Sequence, residues 1–179
     1  MAKLDGKKIA ILVTNGFEQV EMTDPRTALE EAGAATDLIA PKREDVRGWK
    51  FTEWGDSFPA DESLDVATPD QYDGLLLPGG VMSPDKLRAD GRAVSFVRGF
   101  FDAGKPVAAI CHGPWTIIEA DRANGRRMTS YHSIRTDLIN AGAHWIDKEM
   151  VRDGNLVTSR SPDDLPRFKE AIVDLFAGE

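Results

Sequence analysis

Cysteine is nearly absent from this chain: there is one, Cys111, among 179 residues. A single thiol forms no intrachain disulfide and no Cys-rich zinc site. Long apolar runs are missing too. No stretch approaches the roughly 18 apolar residues that a membrane-spanning helix needs. The run from Ile9 to Val13 is too short for the apolar core of a secretory signal, and Glu18 follows soon after. Basic excess is also lacking. The 22 Lys and Arg stand against 30 Asp and Glu, a net charge of −8. Such a surface repels phosphate backbones and anionic membranes, which argues against nucleic-acid and membrane partners. These absences fit a soluble protein of a reducing compartment, most simply the cytoplasm. The length suits one domain over residues 1–179, large enough to bury a core without staples.

What is present alternates. KKIAILVTN is a continuous apolar run, as expected of a strand covered on both faces. A loop, NGFEQVEM, follows. Asp24 reads as a helix N-cap with Pro25 at the first helical position, and Gly33 as the stop. ATDLIA is a second strand. Residues 41–72 are polar with scattered aromatics and read as a short antiparallel flap, a candidate interface or pocket rim. YDGLLLPGG is a buried strand ending in a Gly-Gly turn. A helix in two pieces, the strand KPVAAIC and a helix from HGPW follow. RRMTSY is read as a strand, SIRTDLINAGA as a helix, and KEMVRDGNLVTSR as a hairpin around Asp153-Gly154. A closing amphipathic helix carries Leu165, Phe168, Ile172 and Leu175. This order predicts an open α/β sheet with helices on both faces. Ligands in such folds bind outside the carboxyl ends of the strands, where NGFEQVE, PGGVMSPD and CHGPW fall.

Cys111 ends a strand just before a helix. Two positions to either side stand Ala109 and Gly113. A nucleophile on a sharp strand–turn–helix elbow requires small residues at those places. The following helix end predicts a thiol pKa below the free value of about 8.5. A free cysteine is also commonly a small buried hydrophobe, and that alternative stays open. His112 is the obvious base, although adjacent residues on a helix do not face each other. Its N–H is the expected oxyanion donor, and Gly79-Gly80 offers a second.

DGLLLPGG followed by KPVAAICHGPW resembles the PfpI, or protease I, family of the ThiJ/PfpI superfamily. NGFEQVE, INAGA and LVTSRSPDDLP extend the resemblance nearly end to end. It implies a flavodoxin-like sandwich related to class I glutamine amidotransferases, with homodimers or higher homo-oligomers. It implies a nucleophilic, oxidation-prone Cys111 beside a glutamate of the first loop, placed at Glu18. That carboxyl is expected to be protonated, since two like charges in contact are costly. Protease-like members add an acid from a neighbouring subunit, and the nearest acid here is Asp85. His132 and Trp115 are further pocket candidates. Arg160 lies in a shared stretch without an assigned task.

Three functions follow as expectations. One is a cysteine-dependent enzyme acting on small reactive carbonyls or on modified proteins and peptides, of glyoxalase or deglycase type. The second is a peptidase with a Cys111–His112–Asp85 triad completed between subunits. The third is an oxidative-stress sensor working through oxidation of Cys111. No cofactor and no metal is expected.

Overall fold

A computed structural model describes all 179 residues. The chain runs β1 (Lys8–Leu12), β2 (Phe17–Glu18), α1 (Gln19–Glu31), β3 (Ala35–Ala40), β4 (Asp45–Lys50), β5 (Glu53–Pro59), β6 (Glu62–Ser63) and β7 (Gly74–Leu77). Then come α2 (Met82–Arg88), α3 (Gly91–Asp102), β8 (Val107–Ile110), α4 (Pro114–Glu119) and β9 (Arg127–Met128). It closes with α5 (Arg135–Asn140), β10 (His144–Trp145), β11 (Val151–Asp153), β12 (Leu156–Ser159) and α6 (Leu165–Ala177).

Seven strands form the central sheet in the order β11-β12-β8-β7-β1-β3-β6. All neighbours are parallel except β11, which pairs antiparallel with β12. Setting the short edge strands aside, this is the flavodoxin order. Successive residues of β1 and Val13 just after it divide between two cores. Ile9, Ile11 and Val13 join one, with Met22 and Leu29 of α1 and Phe168 and Ile172 of α6. Ala10 and Leu12 join the other, with Phe96 and Phe100 of α3 and Ile117 of α4. Both faces are covered, so the strand has no polar side, as its continuous apolar run predicts. Burying each of Phe17, Phe100 and Phe168 completely contributes roughly 1.5–3 kcal/mol. No helix is long and apolar enough to cross a membrane.

Two local expectations are corrected. Helix α1 starts at Gln19, not at Asp24, and Pro25 lies buried inside it. Pro25 has no N–H to return to the Glu21 carbonyl, a cost that the packing of Met22 and Leu29 overrides. RRMTSY contributes only β9, which pairs with β10 in a separate two-stranded sheet. The flap takes its expected antiparallel form in β4 and β5, and joins β2 rather than the central sheet.

Candidate active site

The strand order reverses between β1 and β7, so the loops after β1, β7 and β8 open at one crevice. A cavity of about 1010 Å³ lies there. Its wall includes Glu18, Glu21, Trp49, Phe51, Cys111 and Arg160.

Cys111 follows β8 directly with φ +61°. That left-handed conformation costs a non-glycine residue roughly 1–3 kcal/mol. The backbone pins it. Its N–H donates to the Ser159 carbonyl at 3.1 Å, and its carbonyl accepts the Tyr131 N–H at 2.9 Å. The small neighbours are required by space. A Cβ on Gly113 would lie 2.5 Å from the Leu77 carbonyl oxygen, and one on Gly79 would lie 2.6 Å from the Cys111 Cβ. Ala109 is fully buried. The sulfur meets the backbone N–H groups of Gly80 and His112.

The carboxyl against this sulfur belongs to Glu21. It is fully buried on the first turn of α1 and interacts with the Cys111 thiol. Its Oε1 accepts the Gly79 N–H at 3.1 Å, while Oε2 has no well-formed hydrogen bond. Burial first, and then the charge of Glu18, push its pKa up to about 8. Glu18 has another task. Its Oε1 accepts the N–H of Phe51 at 3.1 Å, tying the tip of the β4–β5 hairpin to the cavity rim. Phe51 itself is left-handed, at φ +58°. Burial also raises the Glu18 carboxyl, against the Phe51 N–H.

Burial pushes the Cys111 thiol up as well, and a charge on Glu21 would push it further; the Gly80 and His112 N–H groups oppose both. The expected lowering by the helix end is thus outweighed. Helix α4 is six residues long, too short for a full dipole, and desolvation dominates. Cys111 and Glu21 titrate as one coupled pair.

His112 faces the sulfur, contrary to the helical rule. Its Nδ1 stands 3.1 Å from Sγ, because left-handed Cys111 is not part of a helix. Its Nε2 stands 3.2 Å from the Ser133 Oγ. The ring stacks on Tyr131 and meets Trp115 edge-on. Burial, reinforced by His132, pushes its pKa down to about 4. The ring is therefore neutral, with one proton between its two nitrogens.

Other candidates fall as follows. Gly80 and His132 line the cavity. Trp115 packs behind His112, with its Nε1–H donating to Asp137 at 3.0 Å. Asp85 is exposed on α2 and stays outside the cavity; within the chain nothing joins it to His112. Sequence reasoning missed Glu21, Ser133 and Asp147. The spacing i, i+3 from Glu18 would have found Glu21 had the start of α1 been recognised.

The chain as a whole has close relatives. The pattern of the DJ-1/PfpI family matches residues 7–175. The chain belongs to the DJ-1/PfpI family. It is 46% identical over 170 residues to Protein/nucleic acid deglycase 2 of Escherichia coli, covering 94% of this chain and 97% of that protein. It is 46% identical over 172 residues to General stress protein 18 of Bacillus subtilis, covering 95% of this chain and 98% of that protein. The crystal structure of Drosophila melanogaster DJ-1beta superposes with a TM-score of 0.87 at 27% identity, covering 97% of this chain and 91% of that one. The DJ-1/PfpI assignment and the flavodoxin-like sheet agree with each other.

Proposed function

We propose that the chain is a cysteine-dependent enzyme acting on small reactive carbonyl compounds or their adducts on proteins, of glyoxalase or deglycase type. One observation carries this: the sole thiol sits at a cavity with a buried carboxyl, an imidazole and two backbone N–H groups converging on it. The name of the Escherichia coli relative points the same way.

Burial raises the thiol above the carboxyl, so the reactive state is the minor form of the pair, in which the one remaining proton sits on Glu21 and sulfur is thiolate, with the carboxyl O–H and two amides facing it. The thiolate adds to the aldehyde carbon. A C–S bond forms, the C=O π bond breaks, and its electron pair moves to oxygen. The Gly80 and His112 N–H groups hold that oxygen, and Glu21 gives it a proton. In a 1,2-dicarbonyl the proton on the sulfur-bearing carbon then passes, through an enediol, to the adjacent carbon, with neutral His112 as the shuttle. Water displaces the sulfur and releases a hydroxy acid. One carbon is oxidised and its neighbour reduced, so no outside oxidant is needed.

The test is to follow methylglyoxal by NMR with enzyme at micromolar concentration. Catalytic appearance of lactate supports the reading. Loss equal to that caused by Cys111→Ser overturns it. The peptidase reading is supported by the 3.1 Å Sγ–Nδ1 approach. It needs an acid from a neighbouring subunit, with Asp85 the candidate, at a nitrogen that Ser133 already meets.

A further inference from the structure

The cavity around Cys111 is acidic, and its one strong cation is already engaged. Glu18, Asp147, Asp163 and Asp164 line it together with Glu21, against the single guanidinium of Arg160. Arg160 places Nε and Nη2 on the two oxygens of Asp164, each at 2.9 Å. Its Nη1 donates to Asp147 Oδ1 at 3.0 Å. Asp164 is buried and also accepts the Arg160 backbone N–H at 3.0 Å. Asp147 is the exposed member, with 69% of its side chain open to solvent.

An unencumbered guanidinium at a cavity mouth is the best available fork for a carboxylate or phosphate. Here one carboxylate closes one edge of the fork and a second takes the other. An arriving anion would have to displace Asp147 and then sit among Asp163, Asp164 and Glu18. A neutral or cationic molecule meets none of these costs, and Trp49 and Phe51 line the wall it would meet.

We infer that the Asp147–Arg160–Asp164 clamp sets the charge of the substrate. The cavity takes neutral and cationic carbonyl compounds and rejects those carrying a carboxylate or phosphate beside the carbonyl. Asp147 is the specificity-determining residue, because it holds the edge of Arg160 that would receive the anion. This rests on the proposed carbonyl chemistry for its substrates, but the charge filter itself is measurable without turnover.

The experiment labels Cys111 with three methanethiosulfonates whose heads are methyl, trimethylammonioethyl and sulfonatoethyl. In each, the thiolate attacks the sulfenyl sulfur, a mixed disulfide forms and methanesulfinate leaves. Rates are divided by those on 2-mercaptoethanol, so that only the surroundings of the thiol remain. The cationic reagent should outpace the anionic one by roughly tenfold or more at low salt. Asp147→Asn should cut that ratio at least about threefold. Asp163→Asn should cut the ratio too. Glu170→Gln, exposed on α6 and outside the cavity, removes the same charge and should leave the ratio unchanged. Equal normalised rates for the charged reagents would overturn the inference. So would Asp147→Asn and Asp163→Asn behaving like Glu170→Gln. A strong charge filter without methylglyoxal turnover would sink the carbonyl reading and leave the filter standing.

Discussion

Glu21 reaches Cys111 across a glycine. A Cβ on Gly79 would lie 2.5 Å from the Glu21 Oε1 and 2.6 Å from the Cys111 Cβ. The missing side chain at position 79 is what lets carboxyl and sulfur share one pocket. Gly79→Ala should therefore destabilise the fold by about 1–3 kcal/mol, the usual cost of overpacking. It should also slow alkylation of Cys111 more than the stability loss explains. Denaturant unfolding and iodoacetamide kinetics on the same sample check both.

Burying Glu21 ties stability to pH. Its pKa is about 8 in the fold against 4.5 as the ordinary value. Between those values the folded chain holds a proton that the unfolded chain has released. The Glu21 contribution to stability therefore falls as pH rises from about 4.5 to about 8, and is flat above. Glu21→Gln removes this slope. The variant should gain on the wild type by on the order of 5 kcal/mol between those limits, at about 1.4 kcal/mol per unit. Urea midpoints at pH 5 and pH 8.5 measure the difference.

His112 should stay neutral through the physiological range. Its pKa is pushed from 6.5 to about 4. The unfolded chain takes up this proton first as pH falls, so the contribution of His112 is complete above about 6.5 and is lost on the way down to about 4. Carbon-detected NMR of the ring should show no titration step near 6.5. Ser133→Ala leaves Nε2 without its partner. At roughly 1 kcal/mol for a net hydrogen bond, Cys111 alkylation should change about fivefold, and Ser133→Thr should restore it.

Glu18 should act on the hairpin rather than on the sulfur. Glu18→Ala frees the Phe51 N–H, and its hydrogen-exchange protection should fall at least about tenfold. The amides of β1 should exchange as before.

Much of this was legible in the chain. The apolar run of β1, the Gly-Gly turn after β7 and the Ala109-x-Cys111-x-Gly113 spacing are local patterns with a steric cause. They placed the sheet and the elbow. The carboxyl partner was misplaced by three residues because Asp24-Pro25 has the chemistry of a helix start. Packing of Met22 and Leu29 moved that start to Gln19 and put Glu21, rather than Glu18, against the sulfur. The thiol pKa was misread from the helix end alone, since desolvation depends on neighbours that the local sequence does not name. Ser133, Asp147 and Arg160 come from three separate segments that the topology brings to one crevice. No local pattern marks them.

The central claim is that Glu21 is the carboxyl that activates Cys111. The direct measurement is the alkylation rate of Cys111 against pH in the native chain, Glu21→Leu and Glu18→Leu. At pH 7, below the Glu21 pKa of about 8, Glu21→Leu should slow alkylation at least about tenfold, since the carboxyl O–H facing the thiolate is gone. Glu18→Leu should change that rate less than about threefold. A rate at pH 7 that follows Glu18 and ignores Glu21 would contradict the account.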